Sequence, residues 1–127
     1  MYTGKIINDG VVKDVDRVVY NGRGRQLDLA ASLKIVNHSP TGFSWGYGGS
    51  GPAQLSLAIL LDHLNGDKER ALGLYQSFNM LVVSQLPMDD DFALTDEQIE
   101  NAITKIDVQR MVDTDPDNYP NGFPAAE

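Results

Sequence analysis

From Ala53 to Leu64 the chain runs AQLSLAILLDHL, and its apolar residues cover nearly the whole circumference of any helix built on it. Leu55, Leu57, Ala58, Ile59, Leu60, Leu61 and Leu64 leave only a narrow polar stripe of Gln54, Asp62 and Asn65. Such a helix has to be covered on most sides, so the remainder of the chain must wrap around it. No apolar run reaches the roughly 20 residues of a membrane helix, which makes this a core helix and not a span. A chain of 127 residues that is 42% hydrophobic supports one such core and not two. The helix is well punctuated. Ser50 is the expected N-cap, Pro52 suits the first turn, and Asn65-Gly66 is a stop signal.

The segment leading into it, GFSWGYGG, reads as the clearest strand of the chain. Phe43, Trp45 and Tyr47 would share one face and Ser44 and Gly46 the other, with Gly48 and Gly49 ending the strand. Upstream, YTGKII and VVKDVDRVVY read as strands joined by the turn NDG, with a bulge or break near Asp14–Asp16. NGRG is a second turn, and LDLAASLKIVNHS is ambiguous between a short helix and a loop feeding a strand at Leu33–Val36.

Downstream, Asp67 is a good N-cap for a second helix. Ala71, Leu74, Tyr75, Phe78, Leu81 and Val82 keep its i, i+3, i+4 rhythm, and it stops before Pro87. MDDDFAL reads as a loop. TDEQ, from Thr95 to Gln98, matches the capping box of a third helix whose apolar face is Ile99, Ala102, Ile103 and Ile106. The expected fold is α+β: a small, mainly antiparallel N-terminal sheet packed on the central apolar helix and two further helices. Residues 1–112 form that single domain. Residues 113–127, with three prolines and no periodicity, read as a flexible acidic tail.

The net charge of −8 is unevenly distributed. Residues 1–60 carry six Lys/Arg against four Asp, while residues 61–127 carry four against 14 Asp/Glu. An acidic chain of this kind is disfavoured as a general nucleic-acid binder, because phosphate neutralisation drives that binding. With no cysteine, disulfides and cysteine–zinc sites are excluded, and a cytoplasmic setting fits. The opening MYTGKII has neither the basic nor the apolar region of a signal peptide, so none is expected.

Chemistry concentrates between Asn37 and Pro52. A glycine-rich loop opening a helix offers free backbone N–H groups at the positive end of the helix dipole, the ingredients of an anion site. Yet GYGGSGPA matches neither phosphate-loop pattern, lacks the phosphate-binding lysine, and loses one donor to Pro52. The structural alternative is a tight corner that only glycines can turn. For Trp45 and Tyr47 two readings stand: core packing against the helix, or an exposed stacking platform for a base or a partner side chain. His38 could serve as a general acid or base and Ser39 as a nucleophile, but NHSPTG is also a set of turn formers. His63, Asp62 and the Asp89–Asp91 run form no metal-ligand spacing, so neither a metal nor a cofactor is expected.

The run from Asn37 to Leu60 carries a resemblance. It resembles a family of small uncharacterised proteins from phages, plasmids and prokaryotic genomes, with the pattern N-H-S-P-x-G-F-x-W-G-Y-G-G-S-G-P-A-Q-L-A-L-A-I-L. Ser56 here replaces one alanine, and Phe92 stands where relatives often have tryptophan before LT. The similarity is specific in that core and looser over Tyr2 to Ile106. It implies a shared fold and a mobile-element setting, and it assigns no activity and no catalytic residue.

The leading functional expectation is a non-enzymatic module that binds a partner protein or a small ligand. Its candidate binding residues are Asn37, His38, Ser39, Trp45, Tyr47, Gly48, Gly49 and Ser50. Two alternatives stand beside it: a small hydrolase or nucleotide-handling enzyme that uses His38 with Ser39 or Asp62, and a structural homodimer.

Overall fold

The computed structural model describes residues 1–7 and 16–114. The NDG turn, most of the break near Asp14–Asp16 and the tail beyond Thr114 lie outside the described residues. Three strands, β1 (Tyr2–Ile7), β2 (Asp16–Tyr20) and β3 (Phe92–Leu94), form one antiparallel sheet in the order β2-β1-β3. Four helices, α1 (Leu29–Leu33), α2 (Ser50–His63), α3 (Lys68–Leu81) and α4 (Asp96–Thr114), complete an α+β fold, with a 3₁₀ turn at Val83–Gln85.

The central position of α2 follows from its composition. All ten residues from Gly51 to Leu60 are buried, polar ones included, and the helix touches α1, α3 and the 3₁₀ turn. It starts one residue earlier than its capping signal suggests. Gly49 is the N-cap and Ser50 the first helical residue. At the other end Asn65 and Gly66 take positive φ of 55° and 83°, and the Gly66 N–H donates to the Leu61 carbonyl. Asp67 caps α3 by accepting from the Arg70 N–H at 3.2 Å. The capping box of α4 forms in both directions: Gln98 N–H to Thr95 Oγ1 at 3.1 Å, and Thr95 N–H to Gln98 Oε1 at 2.8 Å.

The sheet differs from the expected one. GFSWGY is not a strand, and neither is Leu33–Val36, because α1 resolves the ambiguous segment as a short helix and turn. The third strand comes instead from within MDDDFAL. Phe92 and Leu94 alternate inward around exposed Ala93, and β3 pairs with Tyr2, Thr3 and Gly4 of β1. Gly4 is required there, because the Phe92 ring lies where any Cβ would be. Among the described residues no helix is long and apolar enough to cross a membrane.

Candidate functional site

Residues 42–49 leave the extended path because of what two of them bind. The Trp45 indole Nε1 donates to the carbonyls of Pro87 and Asp90, both at 3.0 Å, and the Gly46 N–H donates to the Val83 carbonyl at 3.0 Å. Gly46 has a φ of 88° with the Met88 backbone pressed against it, so no side chain fits. Trp45 is fully buried, in edge contact with Phe92 at 4.8 Å between ring centroids. It is therefore a core residue, and the stacking-platform reading is corrected for it. Tyr47, which shares parity with Trp45, is 42% exposed. Its ring folds back over Gly49, and its hydroxyl lies beside Gly51.

The first half of the loop is held from below by Gln54. Its Oε1 accepts from the N–H groups of His38 at 2.8 Å and Ser39 at 3.1 Å. Its Nε2 donates to Ser32 Oγ at 2.7 Å and to the Val36 carbonyl at 3.0 Å. A buried glutamine satisfied at four points is the structural tie of the NHSP segment. The stripe reading of Gln54 is corrected accordingly: it faces the protein, not water.

The side chains proposed for acid–base or nucleophilic work do not converge. His38 Nε2 pairs with the Tyr75 hydroxyl at 2.8 Å, and Ser39 Oγ donates to the Gly42 carbonyl at 2.8 Å. Asp62 Oδ2 accepts from the Tyr2 hydroxyl at 2.6 Å, and His63 pairs with Glu100 on α4. Burial, then the bond to Asp62, pushes the Tyr2 phenol above its ordinary range. In the Asp89–Asp91 run, Asp91 accepts from the Ile6 N–H at 2.7 Å and pairs with Lys5 at 3.6 Å. Among the described residues no cluster of three or more His, Asp or Glu could hold a metal.

What does form is a cavity of about 310 Å³ at the N-terminus of α2, lined by Arg17, Ser39, Thr41, Phe43, Ser44, Tyr47 and Ser50 with Gly42 and Gly51. Of the sequence-derived candidates, Ser39, Tyr47 and Ser50 line it. Asn37, His38, Trp45, Gly48 and Gly49 do not. Sequence reasoning missed Arg17. It stands on β2, its guanidinium lies 4.8 Å from the centre of the Trp45 ring, and its Nη1 is buried without a hydrogen-bond partner. Nothing local in DRVVY marks it, because only the tertiary fold brings β2 beside the loop.

Fold and site together define a small α+β domain with a polar cavity where a glycine-rich loop enters a buried helix. The chain belongs to the family of unknown function DUF6166, which it matches over residues 8–105. No curated protein and no solved structure matches it.

Proposed function

We propose that this protein is a non-enzymatic binding module whose ligand is a small molecule held in the cavity at the N-terminus of α2. The observation that carries this reading is the lining itself. It combines hydroxyl groups from Thr41, Ser44, Tyr47 and Ser50 with one arginine on a rigid helix-and-sheet frame. A volume near 310 Å³ sits at the lower end of the ~300–1,000 Å³ usual for small-molecule sites. The reaction-bearing alternative has less support, since His38, Ser39 and Asp62 are each bonded to a different partner. A cysteine-free chain acting in the cytoplasm, with a phage or plasmid gene as its source, belongs to the same reading and rests on sequence resemblance and composition. The test is a fragment screen of the labelled protein by amide NMR. Ligands that shift resonances between Ser39 and Gly51 are the expected result, and hits confined to other surfaces would contradict the assignment.

A second reading, self-association, is favoured by one observation. Between α3 and α4 an apolar groove of about 720 Å³ is bordered by Met80, which is 73% exposed, together with Leu81 and Val108. Light scattering at increasing protein concentration tests it: a dimer carries the reading, and a monomer throughout removes it.

A further inference from the structure

The cavity has a charge character that its hydroxyls alone do not supply. Arg17 is the one ionised side chain in its lining, and no carboxylate faces it among the described residues, although the chain as a whole carries −8. Arg17 enters none of the salt bridges among the described residues, and its guanidinium is held against the Trp45 ring, 4.8 Å from its centre. Its Nη1 is closed off from solvent, so the remainder of the side chain is what lines the cavity, and a cation placed there without a carboxylate suits an anionic ligand.

A second feature converges on the same space. Ser50 and Gly51 are the first two residues of α2, so their N–H groups have no partner within the helix and stand at the positive end of its dipole. Pro52 at the third position removes only one donor of the first turn. Around these amides stand the hydroxyls of Thr41, Ser44, Tyr47 and Ser50, and Ser39 is committed to the Gly42 carbonyl.

Resting on the binding-module reading above, we propose that the cavity binds the phosphate group of a small molecule, with the Arg17 guanidinium and the Ser50 and Gly51 amides as its principal donors. A phosphate suits this set better than a carboxylate. It has more acceptor oxygens to engage donors arriving from the strand, the loop and the helix end. The lysine missing from GYGGSGPA is replaced in function by an arginine on a distant strand, which is why the loop does not look like a phosphate loop in sequence.

The protein carries its own reporter, because Trp45 is the only tryptophan and Arg17 lies over its ring. Purified full-length protein in phosphate-free buffer is titrated with inorganic phosphate, with ribose 5-phosphate and with ribose, following Trp45 emission and the amide resonances of Ser50 and Gly51. The expected result is saturable binding of phosphate or its ester but not of ribose, weakening as salt rises. Arg17→Met should reduce affinity about tenfold or more, which is the loss of one charge-assisted contact. Should Arg17→Met fail to fold, Ser50→Asp carries the test. Its carboxylate is favourable at a helix start, so the fold is retained, while it repels a phosphate in the cavity. Tighter binding of the ester than of inorganic phosphate identifies an esterified ligand, and the reverse identifies the free ion. Binding unchanged in either folded variant, or no binding of either phosphate compound, overturns the proposal. If the fragment screen still finds neutral ligands between Ser39 and Gly51, only the phosphate assignment falls; if it finds none, the binding-module reading falls with it.

Discussion

Gln54 on α2 and Arg17 on β2 both stand beside the loop at residues 37–51, and they are finished differently. Gln54 sits at zero exposure with both its amide oxygen and its amide nitrogen doubly bonded, to His38, Ser39, Ser32 and Val36. Arg17 presents a charged group whose Nη1 finds nothing to bond. One polar group is closed by the protein and so fixes the fold. The other is a cation at the cavity wall that enters no salt bridge among the described residues. Residues 37–39 are tied down through Gln54, while Thr41, Phe43, Ser44, Tyr47 and Ser50 stand in the lining of the cavity.

The largest expected effect on stability lies at Gln54. Gln54→Leu keeps the volume but strands two N–H groups and a carbonyl and leaves the Ser32 hydroxyl only its bond to the Leu29 carbonyl, and unfolding by denaturant should show a loss of about 3 kcal/mol. A loss below about 1 kcal/mol would mean that the NHSP segment is held by something else. Trp45→Phe removes both indole bonds to the Pro87 and Asp90 carbonyls and should cost about 2 kcal/mol, measured the same way.

Tyr2→Phe probes a closed polar pair away from the loop. Removing the hydroxyl from Asp62 should cost about 1.5 kcal/mol at neutral pH. The pH dependence has a fixed sign. A phenol held above its ordinary value of 10.0 contributes stability that is fully present below pH 10 and declines as pH rises above it. Stability curves of the native chain should therefore fall more steeply above pH 10 than those of Tyr2→Phe. Smaller still is the surface pair of Arg70 and Asp107, where the guanidinium holds the carboxyl below its ordinary 3.8. Its contribution is present above that value and lost as pH falls through the lowered one. Asp107→Asn should cost under about 1 kcal/mol at pH 7, since both side chains are more than a third exposed.

Much of this fold is legible from local chemistry. The caps at Asp67 and Thr95, the stop at Asn65-Gly66 and the centrality of α2 all follow from short-range pattern, and the structure has each of them. The failure at Phe43–Tyr47 is equally instructive. Alternation of aromatics with small residues fits a strand, yet Gly46 turns the chain to meet Val83 and Met88, and only Trp45 goes inward. The strand position was open to Phe92–Leu94, whose three residues are too few for a periodicity signal. Gln54 could have been read better, because a polar residue inside so apolar a run has to find buried partners. Arg17 could not, since its significance depends on β2 lying beside the loop at the start of α2.

The open end of the comparison has the smallest expected effect on stability and the largest on meaning. Arg17→Met keeps an apolar stem over Trp45 and removes a charge that has no partner at Nη1. The decisive measurement is the thermal stability of the native chain and of Arg17→Met, side by side, with and without inorganic phosphate. Without phosphate the variant should be as stable as the native chain or more so, and phosphate should raise only the native chain. A variant clearly less stable without phosphate, with both proteins indifferent to the anion, would make Arg17 a structural residue and close the cavity as a site.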